Sequence, residues 1–335
     1  MQAGRWMFTV EKASGAARSL ESQLVSRKDG RFAAVVQPDL PVSNTWAGLL
    51  QRSLGRTGTW KEASGSGWDG GAEEDMAGVD VVQTVGVNLR TRRELRSYLR
   101  AKVEECRDKY SRRGSPRMRA LLCVSGGHPA RRVPFLGGRS GLLADSTDLL
   151  EEASRSMEDL GGLALGAPPP SSVANQPFEL WCVENPMLPL DSRRLGLKLE
   201  SGATKVITQP PLIRGKFQKW FEECDRDLRG SMVGDRADPF VVGIPCITSA
   251  KSLSFWFKIC GVRPTEGEVA LMKEFQERQD SLPPEAFDEF CLQHTRGLVE
   301  LCKGLPNIGG LHFMPVTSKG YKQLLSLDLG EASQQ

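Results

Sequence analysis

Eight short apolar runs, separated by longer stretches of amphipathic helical pattern, constrain this chain more than any other feature. They fall at 6–10, 32–36, 79–85, 118–124, 162–166, 205–208, 240–244 and 309–314. The runs are rich in Val, Ile, Leu and Phe and do not alternate strictly with polar residues, as expected of parallel strands covered on both faces. Between them, apolar residues recur at three- and four-residue spacing: Leu95, Leu99, Val103 and Cys106; then Phe217, Trp220, Phe221, Cys224 and Leu228; then Phe287, Phe290, Cys291, Leu298 and Leu301. Each set forms one apolar stripe able to lie against a sheet. Eight strands with intervening helices in 335 residues favour a closed (β/α)8 TIM-type barrel over an open doubly wound sheet. The absence of a GxGxxG after the first run argues against a dinucleotide-binding start.

The barrel is expected to occupy 1–330 as a single domain, with insertions at 55–78, 131–146 and 167–190 and a disordered tail at 331–335. The first insertion is rich in Gly, Ser and acidic residues. The other two would follow the fourth and fifth strands, at the end of a barrel where long loops are usually functional. No run approaches the ~18 consecutive apolar residues of a membrane helix. The N-terminus lacks the zones of a signal peptide, and eight cysteines without a CxxC pair point to reduced, buried thiols in an intracellular protein. Three histidines far apart in sequence disfavour a zinc site. A net charge of +3 does not call for a polyanionic partner of the whole chain. Locally, residues 90–119 hold twelve Lys/Arg against four Asp/Glu. Aromatic residues there are limited to Tyr98 and Tyr110, which disfavours a nucleic-acid role; a solvated or partner-facing basic helix fits better.

Three segments carry a more specific signal. Ser201-Gly202-Ala203-Thr204-Lys205-Val206-Ile207-Thr208-Gln209-Pro210 resembles the sixth-strand "aGAd..ITQ" element of the methylenetetrahydrofolate reductase family. Phe240 to Ile247 resembles the seventh-strand "vpGImPi", and Gly310-Leu311-His312-Phe313-Met314-Pro315 the final "GvHfmp". The resemblance is strong from Leu195 to Leu325 and thinner before it, and it covers the catalytic barrel of that family alone. It implies a cytoplasmic flavoprotein oxidoreductase of one-carbon metabolism and methionine biosynthesis. Such an enzyme holds FAD and uses NAD(P)H as co-substrate to reduce 5,10-methylenetetrahydrofolate to 5-methyltetrahydrofolate. A homo-oligomer or a protein partner is compatible with it.

By the same resemblance Glu11 is the candidate general acid, since opening the imidazolidine ring of the folate requires a proton donor in the barrel mouth. Gln209 is the substrate-binding amide, able both to donate and to accept. Lys198, eleven residues earlier on the preceding helix, would contact flavin phosphate. Thr84, Gly126, Gly127 and His128 complete the expected cofactor-binding set, the glycines permitting close backbone approach. The chain also departs from the pattern. The family's "lRGDpP" becomes Val124-Ser125-Gly126-Gly127-His128-Pro129, losing an arginine at Ser125 and an aspartate at Gly127, and "HLTC" becomes Gln83-Thr84-Val85-Gly86. These losses surround the expected flavin site. They keep open an alternative, a catalytically degenerate member serving as a structural or regulatory subunit.

Overall fold

The computed structural model describes residues 7–11, 18–25, 32–37, 79–87, 91–110, 118–125, 143–165, 178–228 and 238–329. Eight parallel strands close in sequence order: β1 (Met7–Glu11), β2 (Phe32–Gln37), β3 (Asp80–Gly86), β4 (Met118–Val124), β5 (Glu179–Glu184), β6 (Lys205–Thr208), β7 (Phe240–Pro245) and β8 (Ile308–Met314). Among the described residues the helices are α1 (Arg18–Val25), α2 (Arg92–Tyr110), α3 (Ser146–Leu165), α4 (Ser192–Glu200), α5 (Arg214–Leu228), α6 (Ala250–Ile259), α7 (Glu266–Ser281), α8 (Pro284–Lys303) and α9 (Ser318–Ser326). The β1–β8 ladder shuts the barrel, pairing Met7 with Gly310 and Thr9 with His312. The fold is the expected (β/α)8 barrel. No described helix is long and apolar enough to cross a membrane.

The fifth strand is not where the apolar pattern placed it. Residues 162–165 continue α3, which is anchored earlier by the buried Leu149, Leu150, Ala153 and Met157. The strand is instead Glu179–Glu184, inside the stretch 167–190 read as a loop. Its acidic ends disguise it. Glu179 and Glu184 bracket Leu180, Trp181 and Cys182, each fully buried, and Trp181 Nε1 donates to Glu179 at 2.7 Å. The first strand begins and ends one residue later than expected, so Glu11 closes β1 and does not lie beyond it. The insertion at 55–78, the tail at 331–335 and most of 131–146 lie outside the described residues.

Strand alternation divides the core. Met7, Ala34, Val36, Val82, Ala120, Leu122, Trp181, Ile207 and Val241 fill the barrel interior, while their neighbours in sequence, such as Phe8, Val35, Leu121, Leu180, Leu311 and Phe313, pack outward against the helices. Each such fully buried side chain contributes about 1.5–3 kcal/mol. Gly310 has a steric cause: a Cβ there would lie 2.1 Å from the Met7 carbonyl oxygen across the closing ladder. A further apolar cluster joins Met187, Leu212 and Ile247, from segments that follow β5, β6 and β7, to Leu253, Trp256, Phe257 and Cys260 of the α6 region, Phe275 of α7 and Phe287 of α8. It therefore lies on the face where the strands end. Capping boxes at Ser249/Ser252 and Thr265/Glu268 start α6 and α7 there.

Candidate functional site

The closing ladder brings together residues from opposite ends of the chain. Thr9 and Glu11 share the inward parity of Met7, and His312 shares that of Gly310, so all three side chains meet in the barrel. His312 Nε2 lies 3.0 Å from Glu11 Oε2, and His312 Nδ1 lies 3.0 Å from Thr9 Oγ1. Exposure falls steeply along this chain: the Glu11 side chain is 25% exposed, His312 3% and Thr9 0%. Glu11 is the open end, and Thr9 is the closed one. From α9, Tyr321 donates its hydroxyl to the Glu11 carbonyl at 2.5 Å and pins the end of β1. Burial, and then the nearby Glu21 and Glu11, push the Tyr321 phenol far above its ordinary range, so it remains a donor.

Two proton arrangements satisfy every bond in this chain. With Glu11 ionised, His312 donates from Nε2 to the carboxylate and accepts the Thr9 hydroxyl at Nδ1. With Glu11 protonated, the carboxyl donates to Nε2 and Nδ1–H donates to Thr9. Each has a neutral imidazole and pairs both of its ring nitrogens. Glu11 Oε1 has no hydrogen-bond partner among the described residues, which leaves one oxygen for a ligand.

Gln209 follows β6, its backbone N–H donating to the Glu184 carbonyl at 2.7 Å. Its Oε1 lies 3.8 Å from Cys260 Sγ, at the end of α6. Beside it Gly243 donates its N–H to Thr208 Oγ1 at 3.0 Å. A Cβ on Gly243 would come within 2.3 Å of the Thr208 carbonyl and 2.6 Å of Met314 Cε. Gly243 is the ladder partner of His312, so glycine here lets β6 and its glutamine approach the relay.

Lys198 is not a free ammonium at a mouth. It is 4% exposed, ion-paired with Glu184, and donates to the Val183 carbonyl at 2.7 Å. Turning it toward a ligand would leave the half-buried Glu184 carboxylate without its cation. Thr84, half-buried on β3, shares the inward parity of Val82, and Gln83 Nε2 donates to its carbonyl at 3.1 Å. Gly126, Gly127 and His128 lie outside the described residues. Ser125 Oγ donates to Ser146 Oγ at 3.0 Å and accepts the Ser146 N–H at 3.3 Å, tying β4 to the start of α3. Of the expected set, Glu11 ends β1, Gln209 directly follows β6, Thr84 lies in β3 two residues before its end, and Lys198 is ion-paired with Glu184.

Sequence reasoning missed the roles of Thr9, His312, Tyr321 and Cys260. The signal for two of them was parity: Thr9 lies two before Glu11, His312 two after Gly310, and a closed barrel must pair its first strand with its last.

No family profile matches the chain, and no curated protein does. Solved structures do. A protein from Clostridium thermocellum that binds two copies of 5-methyl-5,6,7,8-tetrahydrofolic acid superposes with a TM-score of 0.51 at 15% identity, covering 96% of this chain and 94% of that one. The monooxygenase RslO1 from Streptomyces bottropensis gives 0.46 at 10% identity, covering 95% and 96%. The tryptophan synthase A-subunit of Pyrococcus furiosus gives 0.40 at 12%, covering 95% and 89%. At these identities the likeness speaks for the fold.

Proposed function

We propose that this chain binds a reduced folate at the mouth of the barrel and that Glu11 delivers a proton to it. The observation that carries the reading is the Thr9–His312–Glu11 chain, which presents one carboxyl to the mouth and buries its supporting partners. The folate class is suggested by the sequence resemblance, and by the ligand of the Clostridium thermocellum protein. Glu11 Oε1 would face a ring nitrogen of the pterin portion, His312 would hold the carboxyl in one rotamer, and Gln209 would hydrogen-bond the heterocycle. The proton would sit on Oε1 while Oε2 accepts the His312 Nε2–H, so its departure would leave the His312–Thr9 bonds unchanged.

The finer form of the proposal is reduction of 5,10-methylenetetrahydrofolate by FAD, with NAD(P)H as the electron source. FAD, when bound, would supply the hydride. The described residues fit it incompletely: Lys198 is consumed by Glu184, and only Thr84 among the described residues of the expected cofactor set stands at the barrel mouth. That ion pair favours a second reading, a folate-binding barrel without flavin chemistry. Two measurements separate the readings. Calorimetric titration with 5-methyltetrahydrofolate should show binding that Glu11→Gln and His312→Leu weaken; absence of binding by the intact protein refutes the folate assignment. An absorbance spectrum after incubation with FAD and removal of excess should show a bound-flavin band for the reductase reading, and a colourless protein rejects it.

A further inference from the structure

Gln209 has two ends, and one of them is already committed. Its Oε1 faces the Cys260 thiol at 3.8 Å, a sulfur–oxygen hydrogen-bond distance, with the thiol as donor. Cys260 is the C-cap of α6, 3% exposed, and is itself held from below: Asn185, directly after β5, donates Nδ2 to the Cys260 carbonyl at 2.7 Å while its Oδ1 accepts the Met187 N–H at 3.0 Å. The Cys260 N–H closes the last turn of α6 onto the Trp256 carbonyl at 2.9 Å. The thiol is thus fixed by backbone on both sides. Burial pushes it up to about 12, so it stays an S–H donor and not a thiolate.

Resting on the folate reading, we propose that Cys260 is a positioning residue that biases the Gln209 carboxamide toward presenting its NH2 to the mouth, so that the site favours ligands presenting a hydrogen-bond acceptor, such as a lactam carbonyl. An unconstrained glutamine can turn over and serve donors or acceptors equally. The thiol donates weakly to the amide oxygen, and the amide turned the other way would have to set its N–H against the sulfur with the S–H rotated aside. Gln209 Nε2 has no hydrogen-bond partner among the described residues, so it is the end left for a ligand. The constraint comes from α6, an element outside the strand that carries the glutamine, and therefore depends on the Asn185 anchor.

The test combines a ligand-free and a ligand-bound readout. In the free protein, the side-chain amide signals of Gln209, identified by their loss in Gln209→Ala, should shift in Cys260→Ala and stay near their native positions in Cys260→Ser, whose hydroxyl also donates. Unmoved signals in Cys260→Ala overturn the proposal whether or not any folate binds. With 5-methyltetrahydrofolate as the probe, Cys260→Ala should weaken binding about two- to threefold, the low end for a hydrogen bond because a thiol is a weak donor, and Cys260→Ser should restore most of it. In a Gln209→Ala background the same Cys260→Ala change should have no further effect on binding, because the residue acts through the amide. An equal loss in both backgrounds would mark a merely structural role and reject the assignment. Failure of the intact protein to bind the probe, with the amide signals behaving as expected, would count against the folate reading and leave the positioning role standing.

Discussion

Replacing His312 by leucine should damage the protein in a way that a second, seemingly harmful substitution repairs. The imidazole is 3% exposed, Thr9 is 0% exposed, and the 3.0 Å contact to His312 Nδ1 is the side-chain hydrogen bond the structure gives the Thr9 hydroxyl. Leucine is close to histidine in volume, so the cavity contribution is small and the polar loss dominates. Leaving the Thr9 hydroxyl unpaired costs about 1–3 kcal/mol, and removing the bond to Glu11 adds roughly 1 kcal/mol, discounted because that carboxyl reaches water. His312→Leu should therefore lower stability by about 2–4 kcal/mol. Adding Thr9→Val removes the orphaned hydroxyl at nearly constant shape and should return about 1–2 kcal/mol, making the double variant more stable than the single one. Urea unfolding followed by circular dichroism, with the slope checked for constancy, reads all four corners of the cycle. If Thr9→Val costs further stability in the His312→Leu background, Thr9 is held by something other than the relay and the argument fails. The double variant should still bind folate as weakly as His312→Leu, which separates the stability of the layer from its use.

Other substitutions probe the scaffold. Glu268 is fully buried; burial alone would raise its carboxyl, but the Lys216 ammonium and the Thr265 hydroxyl and N–H outweigh it and bring it down to about 2. A folded value below the unfolded one stabilises above about pH 4.5, and that contribution of ~3 kcal/mol is lost as pH falls toward 2. Glu268→Gln should thus lower the urea midpoint at pH 7 and converge on the parent near pH 2–3. His294 has the same sign for a different reason: burial, then Arg214, lower it to about 4, and its buried Nε2 has no hydrogen-bond partner among the described residues. Stability held above about pH 6.5 drains away toward pH 4, so thermal scans of His294→Leu should be flatter across that window than those of the parent. Gly310→Ala forces a methyl to 2.1 Å from the Met7 carbonyl, a backbone atom in the closing ladder, and should sharply reduce soluble yield and melting temperature. Lys198→Met leaves the Glu184 carboxylate without its cation and should destabilise by about 3 kcal/mol. If Lys198 does not touch a phosphate, the same change leaves any FAD affinity, read by absorbance titration, unchanged.

The barrel was legible because buried parallel strands write themselves as short apolar runs, and seven of the eight fell in place. The fifth did not, for two physical reasons. α3 ends in Gly161-Gly162-Leu163-Ala164-Leu165, whose apolar content mimics a strand although the helix begun around the buried Leu149, Leu150, Ala153 and Met157 extends to Leu165. β5 carries a carboxylate at each end, because Glu179 meets Arg119 across the lower barrel and Glu184 meets Lys198 on the helix behind it. Local hydrophobicity does not encode such partners, which come from distant sequence. The site divides in the same manner. Glu11 and Gln209 were recognisable as strand-end polar residues, but His312 lies 301 positions from Glu11, and the bond between them exists only once β8 closes on β1. The ion pair of Lys198 with Glu184 was not legible either, since nothing in its sequence neighbourhood announces that partner.

The two ends of the barrel interior are both polar, and comparing them shows why the site is assigned to one. At the end where strands begin, Arg119 lies 3.8 Å from Asp80 and 3.9 Å from Glu179, and Lys205 donates to the Asp238 carbonyl at 2.9 Å. Burial lowers the Lys205 ammonium below its ordinary value, against the raising influence of Glu179 and Asp238. These charges lie close to one another, while the buried Arg119 Nε has no hydrogen-bond partner among the described residues. At the other end the accounting is unbalanced. Glu11 keeps one oxygen, Gln209 keeps its NH2, and each is held by partners more deeply buried than itself, His312 and Cys260. A polar layer that served only stability would satisfy its outermost atoms and could tolerate a mobile interior. Here the order is reversed, with fixed supports beneath and unspent hydrogen-bonding capacity at the opening, which is the arrangement a preorganised binding site requires.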